Sequence, residues 1–260
     1  MSRALLFLLF VGLCALAAVA LLRGAPEAMA PREPPAGKNL LANPGFEEGR
    51  APWTDFSQGQ LWGEFEIVDS IVRSGTKALY LPVDSSRPRA NHATRVFGAV
   101  QELRPQRFPK AVHGWYRVEH WEKPEAPNDA RPAFLYVQVV VIVVGDPRAP
   151  QLVYPDQPDA SVSNYQIRYY LAGASEPVFT MPNAKVQIVN RAEPPLREWV
   201  WFELPIAKDF ERLWGVTPDN YDLVRVLFEA RWDRKPRRTE VRADVYYDDL
   251  RVTPQQDNAP

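Results

Sequence analysis

The sequence predicts an all-β fold, a two-sheet antiparallel β-sandwich with one short helix, and three observations support this prediction. Several segments alternate apolar and polar residues with a period of two, which is typical of strands with one buried face. Proline accounts for 26 of the 260 residues, about twice its usual share, and separates these segments. Between residues 39 and 254, one stretch has a helical pattern: Ile206–Trp214, which begins after Pro205 and ends at Gly215.

The predicted strands follow one another at short spacing, without the helical crossovers of βαβ units. Ala133–Val144 is the most apolar strand, and because both of its faces are aliphatic we expect it to be central and covered on both sides. Ala111–Trp121 and Leu223–Trp232 alternate clearly, so each should turn one face to the core. The strands are predicted at Asn39–Ala42, Glu64–Asp69, Lys77–Val83, Thr94–Leu103, Ala111–Trp121, Ala133–Val144, Tyr165–Leu171, Lys185–Asn190, Glu198–Leu204, Leu223–Trp232 and Ala243–Val252.

The N-terminal residues have the pattern of a secretory signal. An apolar run of nineteen residues extends from Ala4 to Leu22, and Ala28-Met29-Ala30 matches an A-x-A cleavage site. We therefore expect a secreted, periplasmic or cell-surface protein that is cleaved after Ala30. Because the run is long for a signal, an uncleaved membrane tether through residues 4–22 is the alternative. The predicted parts are a signal peptide or anchor at 1–30, a Pro-rich linker at 31–38, the β-domain at 39–254 and a polar tail at 255–260.

Charge and cysteine content exclude several classes of protein. The chain has 31 Lys and Arg against 32 Asp and Glu; removal of residues 1–30 leaves 29 and 31, a net charge near −2. This balance argues against nucleic acid as a partner. The one cysteine, Cys14, lies in the apolar run, so the cleaved protein would contain no disulfide. Its stability must then come from packing, and a metal ion is a further possible contribution.

The first and last strands of the domain carry acidic groups that would meet if these strands are neighbours. The segment NLLANPGFEEG, Asn39–Gly49, turns at Pro44-Gly45, because proline lacks an N–H and glycine tolerates positive φ. Glu47 then lies at the rim of the domain. The closing strand, VYYDDLRV, alternates around Asp248 and Asp249. Oxygen ligands from several segments suit Ca²⁺, which takes about six to eight of them.

These motifs also carry a resemblance. NLLANPGFEEG, Trp53, RSGTKALYL at Arg73–Leu81 and VYYDDLRV resemble, in this order, the carbohydrate-binding modules of the galactose-binding-like β-jelly-roll group. In that group an N-G-F-E turn, an S-G-x-x-x-L strand and a terminal D-D-[LV] strand recur. The likeness spans about Asn39 to Thr253, and it implies a jelly roll whose partner is a carbohydrate.

The resemblance also implies a structural Ca²⁺. Its ligands would be Glu47 and Asp248, because these positions match the two acids that hold the ion in the resembling modules, with backbone carbonyls near Gly45 and Ser74–Lys77. The alternative is that the two acids cap turns or pair with arginine side chains nearby. On this hypothesis calcium would stabilise the domain and take no part in a reaction.

A sugar-binding surface needs aromatic rings for the apolar face of a pyranose and polar groups for its hydroxyls. One face of Ala111–Trp121 and one face of Leu223–Trp232 supply such groups, and Tyr136 and Gln138 at the start of the central strand would lie between them. The alternative is that the tryptophans belong to the core and the charges form cross-strand pairs. The predicted ligand-binding residues are Trp115, Arg117, Glu119, Trp121, Tyr136, Gln138, Arg225, Glu229 and Arg231.

Catalysis has less support, and no catalytic residue is assigned. The three histidines lack the H-x-x-x-H and H-E-x-x-H spacings, and no G-x-S-x-G elbow is present. A glycoside hydrolase needs only two carboxylates. The candidates are Glu119 and Glu229 for a hydrolase, and His113, Tyr136 and Arg117 for a polysaccharide lyase.

The sequence therefore favours a secreted, non-catalytic protein that binds a polysaccharide or surface glycan by aromatic stacking and hydrogen bonds. The resembling modules are usually joined to an enzyme, and the sequence shows no catalytic domain motif. This difference raises the alternative of a cell-envelope interaction or structural protein that uses the same fold without sugar binding. A small glycan-active hydrolase or lyase is the second alternative.

Overall fold

The computed structural model confirms the two-sheet β-sandwich with one short helix. It describes residues 37–55, 62–86, 88–89, 92–93, 95–124, 134–152, 162–178, 180–234 and 239–255. The elements are β1 (Trp62–Gly63), β2 (Glu66–Val68), β3 (Ala78–Asp84), β4 (Pro88–Arg89), β5 (His92–Ala93), β6 (Val96–Leu103), β7 (Ala111–Glu122), β8 (Phe134–Val144), β9 (Gln151–Leu152), β10 (Val162–Ala172), β11 (Ala184–Ile188), β12 (Trp199–Leu204), α1 (Ile206–Trp214), β13 (Leu223–Asp233) and β14 (Arg242–Thr253).

The strands form two main sheets. The large sheet has the order β1-β6-β13-β8-β10-β11, with β9 paired to β10, and the small sheet has the order β12-β7-β14-β3-β2. Strands β4 and β5 form a separate hairpin. The pairs are antiparallel as predicted, except that β1–β6 and β10–β11 are parallel.

The core lies between the two sheets and follows from the alternation along each strand. The central strand β8 contributes Val137, Val139 and Val141 to the core, and Val140 on its opposite face is also buried. The prediction that this strand is covered on both sides is therefore confirmed. From the small sheet, Tyr116 and Tyr247 point inward among the aliphatic side chains. The helix α1 begins and ends as predicted, with Gly215 at φ 72° as its left-handed C-cap.

The first segment of the domain meets the last strand, so the condition under which the sequence brings their acidic groups together is fulfilled. The Leu40 N–H donates to the Val252 carbonyl at 2.9 Å, and the Asn39 side chain bonds both Leu250 O and Val252 N. The prediction of a regular strand at Asn39–Ala42 is wrong, because the Asn39 amide replaces backbone groups that a strand ladder would use.

The predicted face of Ala111–Trp121 is also corrected. In β7 the partners shift between Asp244–His120 and Val245–Val118, so one extra residue, Glu119, is inserted in this strand. Trp121 is therefore turned away from Trp115 and packs against the core. Its ring fits against Gly173, where a Cβ would lie 2.7 Å from the indole.

The predicted signal or anchor, most of the linker, the tail beyond residue 255 and parts of the Pro-rich loops lie outside the described residues. Within the described residues, no helix is both long enough and apolar enough to cross a membrane. Pro34–Pro260 groups as one compact unit.

Candidate functional site

The structure divides the predicted ligand residues between two opposite surfaces. Tyr136, Gln138 and Glu229 lie on the outer face of the large sheet, whereas Trp115 and Arg117 lie on the outer face of the small sheet. The expectation that Tyr136 and Gln138 lie between the two alternating faces is therefore wrong, because β7 and β13 belong to different sheets.

The first surface is a group of charged and polar side chains that we call the polar cluster. Glu229 and Gln138 face each other across β13 and β8, and Arg231 faces Tyr136 one row further along. The members of the polar cluster are Tyr136, Gln138, Arg168, Glu229, Arg231 and Asp233. Its floor is buried, with Tyr136 and Gln138 at 0% exposure and Glu229 at 2%, while the two arginines are half-buried at its rim.

Hydrogen bonds join the members of the polar cluster. The Gln138 amide donates to the Glu229 carboxylate. The Tyr136 hydroxyl donates to Asp233 Oδ2 at 2.8 Å, and the Arg231 guanidinium reaches both oxygens of the same carboxylate at 2.7 and 3.1 Å. Opposite Glu229 on β6 is Gly98, where a Cβ would lie 3.0 Å from Glu229 Cγ, so glycine leaves room for this side chain.

Burial sets the protonation of the polar cluster. It raises the pKa of Glu229 above its ordinary value, against the opposing effect of the positive charges of Arg168 and Arg231. It also raises the pKa of Tyr136, which therefore remains a hydrogen-bond donor at neutral pH. A buried carboxylic acid with a raised pKa beside arginines is the kind of group found at binding and catalytic sites.

A neighbouring row of polar side chains was not among the predicted residues. Asn164 Oδ1 accepts bonds from Gln166 Nε2 at 3.0 Å and Asn183 Nδ2 at 2.7 Å, and Gln166 Oε1 accepts from Arg168 Nη2 at 3.0 Å. The signal was present in the sequence, because Asn164, Gln166, Arg168 and Tyr170 alternate with apolar residues along β10. They lie on the outer face beside β8.

The second surface is the outer face of the small sheet, which we call the aromatic face. Trp201 lies opposite Trp115, and Trp199 lies opposite Arg117 across β12 and β7. The members of the aromatic face are His113, Trp115, Arg117, Glu119, Trp199 and Trp201. The Trp201 ring stacks on His113 with centroids 5.8 Å apart and lies 5.3 Å from the Trp115 ring.

Polar groups beside these rings are arranged differently from those of the polar cluster. Arg117 pairs with Glu119, and both side chains are partly exposed. In contrast, Trp115 Nε1, Trp201 Nε1 and His113 Nδ1 are buried without a hydrogen-bond partner among the residues that the structure describes. Burial lowers the pKa of His113 below its ordinary value, so its ring is neutral at physiological pH.

The predicted metal ligands lie where the first segment meets a turn at residues 73–77, which we call the junction. Glu47 Oε1 accepts the N–H groups of Thr76 and Lys77 at 2.9 and 3.1 Å, and Oε2 accepts the Thr76 hydroxyl at 2.5 Å. The Lys77 ammonium donates to the Glu47 carbonyl oxygen at 3.0 Å. A side chain at Gly75, which has φ 66°, would clash with the Glu47 carboxylate.

The Asp248 carboxylate also accepts backbone N–H groups. Its Oδ2 accepts N–H groups of Arg73 and Ser74 at 2.7 and 3.2 Å, and its Oδ1 accepts that of Asp249 at 2.7 Å. Burial raises the pKa of Asp248 to about 6. Because both acids already accept N–H donors and an ammonium group lies against a candidate carbonyl ligand, this arrangement does not fit the predicted Ca²⁺ ligand set. Among the described residues, no three His, Cys, Asp or Glu side chains gather as a metal site.

Comparisons with known proteins place carbohydrate-binding modules among the structural neighbours. No family model and no curated protein matches the chain. A CBM61 module solved with β-1,4-galactotriose has 12% identity and a TM-score of 0.40, over 84% of this chain and 100% of that one. The CBM22-1 xylan-binding domain from Paenibacillus barcinonensis Xyn10C has 13% identity and a TM-score of 0.41, over 86% of this chain and 100% of that one.

A third neighbour is the enzymatically active domain of bacteriophage CBA120 tailspike protein 4, with 9% identity and a TM-score of 0.40. The match covers 83% of this chain and 21% of that one. Likenesses with such low identities and with TM-scores below 0.5 do not assign a ligand or an activity to this chain.

Proposed function

We propose that this protein binds a carbohydrate at the polar cluster on the outer face of the large sheet. The observation that carries the proposal is the gathering of arginine, carboxylate, amide and phenol groups on the outer face of the large sheet, outside the main core between the two sheets. These groups are the donors and acceptors that the hydroxyls of a sugar require.

The polar cluster supports reversible binding through a fixed floor and a partly accessible rim. The Arg231 side chain is 17% exposed while it is held by Asp233, so its orientation is set before a ligand arrives. Gln138 and Glu229 lie beneath the rim and bond each other. Such preorganisation reduces the entropy that is lost on binding.

The aromatic face is a second candidate for the same function. Trp199 and Trp201 are half-buried on an edge strand of the small sheet, beside the partly exposed Arg117. Rings of this kind stack on the apolar face of a pyranose. The indole N–H groups of Trp115 and Trp201 have no hydrogen-bond partner within the described part of the chain, which favours an acceptor-rich ligand here.

A glycan-active enzyme is the remaining alternative, because the raised pKa of Glu229 suits a general acid. Secretion belongs to the proposal as well and rests on the N-terminal pattern. The structural calcium ion stays a prediction of the family resemblance and is not part of this proposal, because the oxygens of Glu47 and Asp248 already accept N–H donors. Binding without turnover separates the carbohydrate-binding protein from the enzyme.

The test is retention of the full chain on a panel of insoluble and arrayed polysaccharides, with product release monitored in parallel. Arg231→Gln changes the rim of the polar cluster and Trp201→Ala changes the aromatic face. Unfolding curves of both variants control for loss of fold. Retention that Arg231→Gln abolishes and Trp201→Ala preserves supports the proposal, and the reverse result moves the site to the aromatic face.

Retention accompanied by product release would show that the protein is an enzyme, and Glu229 would then be the first residue to mutate. If the folded protein is retained by no polysaccharide of a broad panel, carbohydrate binding is wrong. A cell-envelope interaction protein would then be the better account of this fold.

A further inference from the structure

A polar groove lies apart from both outer-face surfaces. Its volume is about 1310 Å³, and it runs between the first segment of the domain and the residues that follow β6. The lining side chains that carry charge or an amide include Lys38, Gln101, Glu102, Arg104, Gln106 and Arg107. No aromatic residue is among the described residues that line it, so a ligand here would be held by charge and hydrogen bonds.

The charge of the groove differs from that of the chain. Three of the four charged residues in its described lining are basic, whereas the whole chain has a net charge of −1. The one acidic lining residue, Glu102, pairs with Arg225 at 2.8 Å, so its charge is already compensated. Lys38, Arg104 and Arg107 are exposed. The groove therefore presents a positive potential to solvent.

The walls of the groove are fixed by hydrogen bonds. Gln101 is buried, and its side-chain amide bonds both the N–H and the carbonyl of Ala42, at 2.8 and 2.9 Å. This pair ties the first segment to β6. Arg104 follows directly after β6, and one of its guanidinium nitrogens donates to the Asp222 carbonyl at 3.1 Å, which holds the side chain in place.

We propose that this groove binds the anionic group of an acidic saccharide, a carboxylate or a sulfate. The forked N–H groups of arginine match the paired oxygens of such anions, and Gln106 beside them supplies an amide for neighbouring hydroxyls. The proposal of an anion site depends only on the residues that line the groove. The identification of the ligand as a saccharide rests on the proposed function.

The test compares three soluble probes on the full chain: dextran sulfate, polygalacturonate and neutral dextran. The double variant Arg104→Gln/Arg107→Gln removes two charges of the groove. Arg191→Gln is the matched control, because Arg191 is also exposed but donates to the Ser175 carbonyl elsewhere on the surface. We expect the affinity for an acidic probe to fall at least about tenfold in the double variant, and to fall less than about twofold in the control.

If the double variant binds both acidic polymers as tightly as the wild type, the proposal that the groove binds an anionic group is wrong. If Arg231→Gln alone abolishes binding of acidic and neutral glycans, the proposed function stands and the groove proposal fails. If the double variant loses acidic polymers but retains a neutral glycan, both stand. Displacement of the polymers by inorganic phosphate at equal charge concentration would reduce the groove to a general anion site and overturn its saccharide specificity.

Discussion

The two outer faces of the sandwich differ in how their polar groups are satisfied. On the large sheet, Glu229 is 2% exposed and lies among arginines and an amide that compensate its charge. On the small sheet, Glu119 and Arg117 are partly exposed, while buried indole and imidazole nitrogens have no hydrogen-bond partner in the described ranges. Two strand faces with similar residue types therefore have different chemistry, because one is covered and the other stays close to solvent.

The largest effect should come from Glu229→Ala. Removal of this carboxylate takes away a buried counter-charge of Arg168 and leaves Arg231 paired with Asp233. Loss of one partner from a buried charged group typically costs about 3–5 kcal/mol. The matched change, Glu119→Ala, breaks a partly exposed pair and should cost about 0.2–1 kcal/mol. Urea unfolding of both variants measures the contrast. Equal losses would show that the polar cluster is as well hydrated as the aromatic face.

A smaller effect is expected at the junction, which adjoins the aromatic face because the Arg73 guanidinium lies 4.6 Å above the Trp115 ring. Gly75→Ala introduces a side chain at positive φ against the Glu47 carboxylate and should destabilise by more than about 1 kcal/mol. Gly49→Ala is the control, because Gly49 also has positive φ but no atom within 4 Å of its Cβ position. Thermal unfolding should show the larger decrease in Tm for Gly75→Ala; equal decreases would assign the effect to backbone strain alone.

The contributions of the two outer faces to folding stability should depend on pH with opposite sign. The folded-state pKa of Glu229 is raised above 4.5, so its stabilising contribution is present at low pH and is lost as pH rises through the raised value. The folded-state pKa of His113 is lowered below 6.5, so its contribution is present above that pH and is lost as pH falls through the lowered value.

Tm measured across pH for Glu229→Gln and His113→Phe tests this difference. In Glu229→Gln, Tm should decrease less than in the wild type as pH rises. In His113→Phe, Tm should decrease less than in the wild type as pH falls. Parallel profiles for both variants and the wild type would mean that neither group titrates differently in the folded state.

The smallest effect is expected from calcium. Because the oxygens of Glu47 and Asp248 already accept N–H donors, addition of Ca²⁺ or a chelator should change the Tm of the full chain little. The Lys77→Met variant serves as the comparison, since it removes the ammonium group from the Glu47 carbonyl. A clear rise in Tm with Ca²⁺ in the wild type would establish the structural ion that the resemblance implies.

Local patterns allowed much of the fold to be predicted. The helix bounds at Ile206 and Trp214 follow from the proline and glycine beside them, and the aliphatic faces of β8 identify it as the central strand. Alternation also determines which side chains share a face of one strand, as Glu229 and Arg231 do. These features depend on neighbours within a few residues.

The candidate site depends on contacts between distant strands. Sequence patterns did not show that β7 and β13 lie in different sheets, so the predicted ligand residues were placed on one surface. The extra residue near Glu119 removes Trp121 from its predicted face, and only the pairing with β14 reveals it.

By itself, the sequence determined the strand periodicity, the helix and the residue types available to each face. The tertiary structure decided which of those faces are buried and which charges find partners. The physical reason is that alternation is a local property of one strand, whereas burial and the pKa of a group such as Glu229 depend on every element packed around it.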